Sequence, residues 1–385
     1  MDPDIEQNLY AWLRAQGGLV ADVHVADGPN GRGLFARRDC AAGTLLLHVP
    51  PAATFTADLA RASPVGRRVA DAGAELSEGG LIAASLAQSR HAGGFWSPFV
   101  ESLPRSYPAH PVFYGAGEMD ALGTTSTAAG VVKVVRDLYG SDAQRIPANV
   151  EVDADDYAWA WTSVKSRTFR TTRGHLAMVP VVDLINHASR SNARSDSADD
   201  GVRVYARRAL AAGEEITIRY GLFNNATLLA IYGFCEDDDV DHDVWIASPS
   251  GRCFSVTRRY GDPCTRALFA HLRAGSPAVD QPDAGAEPSS RDNELGVLNW
   301  IGSFCDWRLG VLASSASQAQ AGCGQTLRMI KAAQDSECAA LRRFGVFAKS
   351  AARLLSDVDL DMDPAGLAAL DDDDYAQALR RAFAS

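Results

Sequence analysis

The sequence lacks closely spaced cysteine pairs. Its seven cysteines are an odd number and lie far apart, and no two of them have the Cys-x-x-Cys spacing. That spacing is typical of zinc clusters, and an even set of cysteines is typical of small disulfide-linked domains. We therefore expect neither a metal site nor a disulfide framework. Unpaired cysteines fit a reducing compartment, so we expect a cytoplasmic location, with the nucleus or an organelle left open.

Long apolar runs and excess positive charge are also missing. No apolar stretch approaches the roughly 18 residues that a membrane-spanning helix needs. The first residues, Met1-Asp-Pro-Asp-Ile-Glu6, have neither the apolar core of a secretory signal nor an Arg/Ser-rich transit pattern. The net charge is −11, which argues against nonspecific binding to nucleic acid or to anionic membranes. We expect neither as a partner, whereas a basic protein substrate is compatible with this charge.

What is present is an ordinary globular composition. The chain has 385 residues, of which 46% are hydrophobic and 22% charged, and this length suggests two domains or one domain with a large appendage. Apolar residues at helical spacing predict helices over residues 3–16, 224–232, 295–312 and 327–355, and mainly helices over 55–165. Alternating apolar residues predict strands over residues 20–25, 202–206 and 216–220, and a polar loop is predicted over 189–200.

Two polar segments follow residue 235. Carboxylates and His242 over residues 236–243 could suggest metal binding, but clustered like charges usually form a solvated surface, which we favour. Residues 276–292 are rich in Pro, Ser, Ala, Asp and Gly, which is typical of a flexible loop.

The segment Val181–Ala188 is an apolar run that ends in the polar residues Asp183, Asn186 and His187. The run predicts a short buried strand or a turn. Buried polar groups without partners cost about 1–3 kcal/mol each. By itself the segment leaves two interpretations open, a structural Asn-His pair that stabilises a turn or a functional site.

A second segment, Asn30-Gly31-Arg32-Gly33, predicts a bend before two strands that are joined at residues 41–43. Glycines at this spacing allow positive φ angles or a close approach to a ligand. The segment is not a dinucleotide-binding fingerprint, because a strand and not a helix follows it. Taken alone, it favours an ordinary turn.

Three separated segments together resemble the SET domain, the protein methyltransferase fold that uses S-adenosylmethionine (SAM) and releases S-adenosylhomocysteine (SAH). They are Gly31-Arg-Gly-Leu-Phe-Ala36 with Ala42-Gly-Thr-Leu-Leu46, Asp183-Leu-Ile-Asn-His187, and Gly213-Glu-Glu-Ile-Thr-Ile-Arg-Tyr-Gly221. Further segments look like the Rubisco large-subunit methyltransferase group, which includes the actin-histidine methyltransferase. They are residues 95–104, Tyr157-Ala-Trp-Ala160 with Ser166-Arg167, and Asn225-Ala226 followed by Tyr232-Gly-Phe234.

The resemblance implies an α+β fold. A β-rich SET domain would cover residues 1–245, with a helical insert at about 55–160, and an all-α substrate-binding domain would cover 246–385. The implied activity is SAM-dependent methyl transfer to a lysine amine of a protein substrate, which docks on the C-terminal domain of a monomer. Two alternatives stay open: a histidine acceptor, or a catalytically silent SET domain that serves as a protein-interaction module.

The resemblance also implies roles for individual residues. Tyr220 would be the catalytic tyrosine and would contact the substrate. The implied cofactor-binding residues are Asn30, Gly31, Arg32, Arg167, Asp183, Asn186, His187, Tyr232 and Phe234, and for Asp183 a purely structural role stays open. Phe169 would form an aromatic wall of the substrate site, where the actin-histidine enzyme has an asparagine. An aromatic ring suits a lysine stem and attracts a cationic amine, so Phe169 favours lysine over histidine.

Overall fold

The computed structural model describes residues 1–236, 243–257, 259–275, 287–288, 290–319, 324–356 and 372–383. The chain forms two compact units, one of Met1–Phe113 with Lys133–Leu222 and one of Tyr114–Val132 with Phe223–Ser385. The predicted domain boundary at residues 245 and 246 stays a prediction. The predicted fold class, a β-rich SET domain followed by a helical region, is confirmed.

Helices make up most of the chain outside the sheets. They are α1 (Pro3–Ala15), α2 (Ala57–Ala62), α3 (Pro64–Asp71), α4 (Glu78–Ala92), α5 (Ser97–Ser102), α6 (Ala116–Leu122), α7 (Thr127–Gln144), α8 (Ala154–Arg167), α9 (Asn225–Tyr232), α10 (Pro263–Arg273), α11 (Arg291–Ala319), α12 (Gln325–Ser356) and α13 (Asp373–Phe383). Helix α1 begins where Asp2 caps the main-chain N–H of Asp4 and Pro3 opens the first turn. The periodicity-based predictions of α1, α9, α11 and α12 are confirmed.

The strands of the first unit form three small sheets. They are β1 (Leu19–Val20), β2 (Val23–Gly28), β3 (Gly31–Ala36), β4 (Leu45–Val49), β5 (Phe55–Thr56), β6 (Thr168–Arg170), β7 (Leu176–Met178), β8 (Asn186–His187), β9 (Ala193–Ala198), β10 (Gly201–Ala206) and β11 (Glu215–Ile218). Their orders are β1-β4-β10-β9, β2-β3-β11-β8 and β5-β7-β6.

Strand β11 holds the second sheet together. On one side it pairs antiparallel with β3, with Glu215 opposite Phe35. On the other side it pairs parallel with β8, with Thr217 opposite Asn186 and Ile218 opposite His187. Ile216 and Ile218 are buried, so this strand joins the Gly-rich and Asn-His segments over the core.

The described part of the second unit is helical except for one hairpin, β12 (Val244–Ala247) and β13 (Cys253–Val256). The prediction of an all-α region missed it. Val244, Ile246 and Val256 alternate inward in two four-residue strands, and a pattern this short is hard to distinguish from loop in sequence. The core of this unit lies among helices α10 to α13, with fully buried Leu268, Phe269, Leu298 and Phe344 among its members.

The three segments predicted to be polar loops have different outcomes. The predicted polar loop over residues 189–200 is wrong in part, because β9 (Ala193–Ala198) pairs with β10 along its whole length. Its side chains are mostly exposed, so the strand is stabilised by main-chain pairing and shows no apolar alternation. Most of the predicted acidic segment 236–243, and residues 276–286 of the predicted flexible loop, lie outside the described residues.

Candidate functional site

The site is built around a strained turn that precedes β8. Val181 is fully buried and has φ of 71°, the one positive φ among the described residues other than glycine. A β-branched residue rarely adopts this conformation, and such strain is concentrated at functional sites. A single 3₁₀ turn (Val182–Leu184) follows. In this turn the main-chain oxygens of Asp183 and Ile185 accept hydrogen bonds from the side chains of Arg167 and Tyr220.

Tyr220 is hydrogen-bonded to this turn and to the strand β8 that follows it. Its hydroxyl donates to the main-chain oxygen of Ile185 at 2.7 Å. Its main-chain N–H donates to Nδ1 of His187 at 3.0 Å, and the two rings lie 5.1 Å apart. Nδ1 accepts this hydrogen bond and so carries no hydrogen of its own. In the neutral imidazole of His187 the hydrogen is therefore on Nε2. The structure thus brings together Tyr220 and His187, which the sequence predicted for the site.

Arg167, the last residue of α8, reaches the same turn. Its Nη1 donates to the main-chain oxygen of Asp183 at 2.7 Å and to Oδ2 of the same residue at 3.3 Å. Its Nε donates to the hydroxyl of Tyr107 at 3.2 Å. The side chain of Asp183 is 0% exposed and that of Arg167 is 20% exposed. Asp183 therefore contacts the arginine and is closed off from solvent, which favours the structural role that the sequence left open.

Several charged side chains lie close together at this turn. Burial, and then the neighbouring Arg167, lower the pKa of Arg32. Burial opposes the charge of Arg167, but Tyr107 and Asp183 outweigh it, so the pKa of Arg167 is raised. Burial raises the pKa of Asp183, and the two guanidinium groups act against that rise. Arg32 and Arg167 both face Asp183, and Asp27, opposite Arg32 in the β2–β3 hairpin, is a second carboxylate near Arg32. Guanidinium groups also suit a ligand carboxylate, which they can bind through paired hydrogen bonds.

The Gly-rich segment forms a tight hairpin, in which Gly28 pairs with Gly31 and Pro29-Asn30 make the loop. Gly31 has φ of 85°, a conformation that favours glycine. Arg32 donates through Nη2 to the main-chain oxygen of Ser102 at 2.7 Å. Its main-chain oxygen accepts from Nδ2 of Asn186 at 3.3 Å, so the hairpin and β8 are in direct contact.

Phe169 lies on β6, half-buried, and lines a cavity of about 310 Å³. Other residues of the wall include Pro51, Ala57, Ala177 and Val202. The carboxylates of Asp58 and Asp199 and the cationic residues Arg170 and Arg173 also line it. The lining thus mixes apolar side chains with polar and charged ones, and Tyr220, His187 and Arg167 are not part of it.

Tyr232 and Phe234 belong to the second unit. Gly233, in the left-handed conformation, ends α9 between them. The rings of Tyr232 and Phe234 lie 6.1 Å apart, and Phe223 lies 6.0 Å from Tyr232. Burial raises the pKa of Tyr232 to about 12. Their predicted contact with a cofactor stays a prediction, as do the cofactor-binding roles of the residues in the first unit.

Sequence reasoning missed two residues of the site. Glu215 accepts hydrogen bonds from the side chains of Asn30 and Asn186; its place in the Gly213-Glu-Glu motif was the available signal. Tyr107, which contacts Arg167, lies between α5 and α6, and no local pattern marks it.

Within the described ranges, no group of three or more His, Cys, Asp or Glu side chains could hold a metal ion. No helix there is both long and apolar enough to cross a membrane.

Known proteins resemble the chain in sequence and in fold. Residues 31–221 match the family model of the SET domain. An Arabidopsis thaliana protein, [fructose-bisphosphate aldolase]-lysine N-methyltransferase, chloroplastic, is 29% identical over 261 residues, which are 61% of this chain and 53% of that protein. Actin-histidine N-methyltransferase of Xenopus tropicalis is 25% identical over 297 residues, which are 70% of this chain and 51% of that protein. The chain thus spans about half the length of these curated relatives.

Solved structures agree on the fold. Rubisco LSMT bound to AdoMet has a TM-score of 0.72 at 21% identity, covering 92% of this chain and 93% of that one. The SET domain of LSMT bound to lysine and AdoHcy has a TM-score of 0.71 at 20% identity, covering 91% and 92%. At this identity the likeness shows the fold alone. Together with the family match, it establishes that residues 31–221 of the chain are a SET domain.

Proposed function

We propose that the protein is a SAM-dependent protein methyltransferase whose acceptor is a lysine amine. One observation carries the proposal. Tyr220, His187 and Arg167 come from three separate segments and are joined by hydrogen bonds around a single strained turn, Val181–Ile185. A SET domain kept only for protein interaction would not need this arrangement of a tyrosine hydroxyl and a partly exposed guanidinium beside buried charge.

The residues present fit SAM. Its methionyl carboxylate would be held by Arg167, whose side chain is 20% exposed, with Arg32 beside it. Its ammonium and adenine amino groups are donors, and the side chain of Asn186 offers an acceptor oxygen because its Nδ2 is engaged by Glu215 and Arg32. When bound, SAM supplies a methyl group on a positively charged sulfur, which is transferred by in-line displacement.

The protein's own contribution is to hold a neutral amine and keep water away. A free lysine has a pKa of about 10.4, and its burial near a positive charge lowers that value, so the amine reacts unprotonated. The hydroxyl hydrogen of Tyr220 is engaged by the main-chain oxygen of Ile185. Its oxygen can then accept a hydrogen bond from the amine and direct the nitrogen lone pair, which is a positioning effect.

Phe169 supports lysine as the acceptor. It lines the cavity of about 310 Å³, and an aromatic face there favours an apolar stem that ends in a cation. The similarity to actin-histidine N-methyltransferase keeps histidine as the second candidate. The two acceptors differ in product, since acid hydrolysis and amino-acid analysis distinguish methyllysine from methylhistidine.

Substitution of Phe169 with asparagine tests the choice. We expect the wild-type protein, with radiolabelled SAM and an extract of cellular proteins, to form methyllysine, and the variant to form much less of it. Phe113→Asn is the matched control, because this phenylalanine is 44% exposed and does not line the cavity. Methylhistidine from the wild-type protein would overturn the lysine proposal while leaving the methyltransferase intact.

The cofactor is tested first, by isothermal titration of the purified chain with SAM and with SAH. Saturable binding of both is expected, and Arg167→Ala should weaken it. Binding of neither would refute the enzyme proposal and leave the SET domain as an interaction module.

We propose further that the protein substrate docks on the helical C-terminal region, that the protein is a monomer and that it is cytoplasmic. Support for docking comes from α11, where Trp307 is 55% exposed beside the ring of Phe304. Among the described cysteines, Cys40, Cys253, Cys264, Cys305 and Cys338 are free thiols, as a reducing compartment would leave them. Co-purification of a methylated protein that is lost on Trp307→Ser would support the docking surface, and unchanged recovery would contradict it.

A further inference from the structure

Glu215 lies where β11 begins, and both of its carboxylate oxygens are engaged by asparagine side chains. Oε1 accepts from Nδ2 of Asn186 at 2.7 Å. Oε2 accepts from Nδ2 of Asn30 at 3.3 Å. Asn30 is 185 residues away in the sequence, in the β2–β3 hairpin loop. Glu215 therefore bridges two residues that the proposed function places at the cofactor.

We propose that Glu215 is a positioning residue that fixes the orientation of these two amides for cofactor binding. The inference rests on the proposed function. A carboxylate can only accept hydrogen bonds, whereas an asparagine amide has a donor end and an acceptor end. Asn30 and Asn186 must therefore both turn their NH₂ groups toward Glu215 and their oxygens away from it. Each asparagine then offers a carbonyl oxygen, and SAM has ammonium and amino groups that need acceptors.

The packing leaves this arrangement little freedom. A Cβ atom on Gly33 would lie 2.6 Å from Oε1 of Glu215 and 2.7 Å from Nδ2 of Asn186, so the hydrogen-bonded pair occupies the space beside a bare Cα atom. Nδ2 of Asn186 also donates to the main-chain oxygen of Arg32 at 3.3 Å. Both hydrogens of that NH₂ group are thus used, and the amide could turn over only by losing both bonds.

Glutamine at position 215 removes this control at almost unchanged size. Its NH₂ group would have to face one of the two asparagine NH₂ groups, which places donor against donor. Either one hydrogen bond is lost, or one asparagine turns over and presents NH₂ where its oxygen was. Both outcomes weaken the cofactor's hydrogen bonds, and neither removes a buried apolar contact.

The neighbouring Glu214 provides a matched control. It also accepts from an asparagine, through Nδ2 of Asn192 at 3.1 Å, and from the main-chain N–H of Ala211 at 3.0 Å, and it pairs with Arg208. None of these partners is a predicted cofactor residue. Glu214→Gln therefore makes the same chemical change one position away and leaves Asn30 and Asn186 as they are.

The experiment is isothermal titration of SAH into the wild-type chain, Glu215→Gln, Glu214→Gln, Asn186→Ala and the Glu215→Gln/Asn186→Ala double variant, with thermal unfolding of each. We expect Glu215→Gln to raise the Kd for SAH about tenfold, the effect of losing roughly one charge-assisted hydrogen bond. Glu214→Gln should change it by less than about twofold. If Glu215 acts through Asn186, the double variant should bind no more weakly than Asn186→Ala alone.

Several results would overturn the inference. They are an unchanged Kd in a folded Glu215→Gln variant, an equal effect of Glu214→Gln, or a double variant whose Kd increase is the product of the two single increases. If Glu215→Gln does not fold, Asn30→Ala removes one of the two amides instead. It should weaken SAH binding about threefold, and no change would count against the inference. Failure of the proposed function is distinct, because the wild-type chain itself would then not bind SAH.

Discussion

Replacing Asp183 with asparagine removes the carboxylate that faces Arg167 while keeping the side chain's size. The Asp183 side chain is 0% exposed, and breaking a buried ion pair by removing one partner costs roughly 3–5 kcal/mol. Arg167 keeps two acceptors, the main-chain oxygen at residue 183 at 2.7 Å and Tyr107 at 3.2 Å. We therefore expect the lower end, about 3 kcal/mol. For a unit of this size that corresponds to a fall in Tm of about 6–12 °C.

The assay is thermal unfolding of both proteins with and without saturating SAH. The carboxylate of SAH would supply a negative charge beside Arg167, whose ion-pair partner Asp183 the variant neutralises. A ligand that binds only the folded state raises Tm more the more tightly it binds. SAH should therefore raise the Tm of Asp183→Asn at least as much as that of the wild-type protein.

Two results would refute this reasoning. An unchanged Tm would mean that Asp183 is already neutral, an extreme consequence of the rise in its pKa that burial causes. A normal Tm combined with lost SAH binding would mean that Asp183 contacts the cofactor directly, as the sequence first suggested.

Three more predictions concern separate parts of the molecule. Tyr220→Phe removes the hydroxyl that donates to the main-chain oxygen of Ile185. The rate of methyl transfer should fall about 10²-fold, while the Kd for SAH stays within about twofold. Loss of SAH binding would mean that the role of Tyr220 is misassigned. Glu294→Gln removes the carboxylate that pairs with Arg273, whose side chain is 1% exposed. The free energy of unfolding of the second unit, measured with denaturant, should fall by about 3 kcal/mol, and wild-type stability would contradict a charged pair. Burial and then Arg252 lower the pKa of His271 below 6.5; its stabilising contribution is present above that pH and is lost as pH falls below it. His271→Gln should therefore flatten the loss of stability between about pH 7 and 5, and identical pH profiles would rule this out.

Local patterns in the sequence were enough to predict elements that carry their own signals. Helix α9 has Asn224 as its N-cap, accepting from the main-chain N–H of Thr227, and Gly233 in the left-handed conformation at its end. Both residue types are the ones that these positions favour. The long helices α11 and α12 show apolar periodicity over many turns, which is the most dependable signal.

Elements stabilised by distant partners could not be predicted in this way. Strand β9 is exposed along most of its length and exists because β10 pairs with it. For the site, motif resemblance found Arg167, Asn186 and Tyr220. It did not find Tyr107, whose contact with Arg167 depends on the path of the loop between α5 and α6. It also gave Glu215 no role. Hydrogen bonds between segments this far apart leave no trace in local composition.

The central position of β11 also determines when the site can form. Its partners β3 and β8 are made earlier, and the bond from Asn30 to Glu215 closes a loop of 185 residues. At about 5–20 residues per second of synthesis, roughly 10–40 s separate the two ends of that bond. Helices α4 and α8, which pack together, are complete before β11 leaves the ribosome. Arg167 and Asn186 are therefore synthesised before β11, the strand that pairs with β8. Until β11 is synthesised, the edge of β3 that it pairs with stays unpaired.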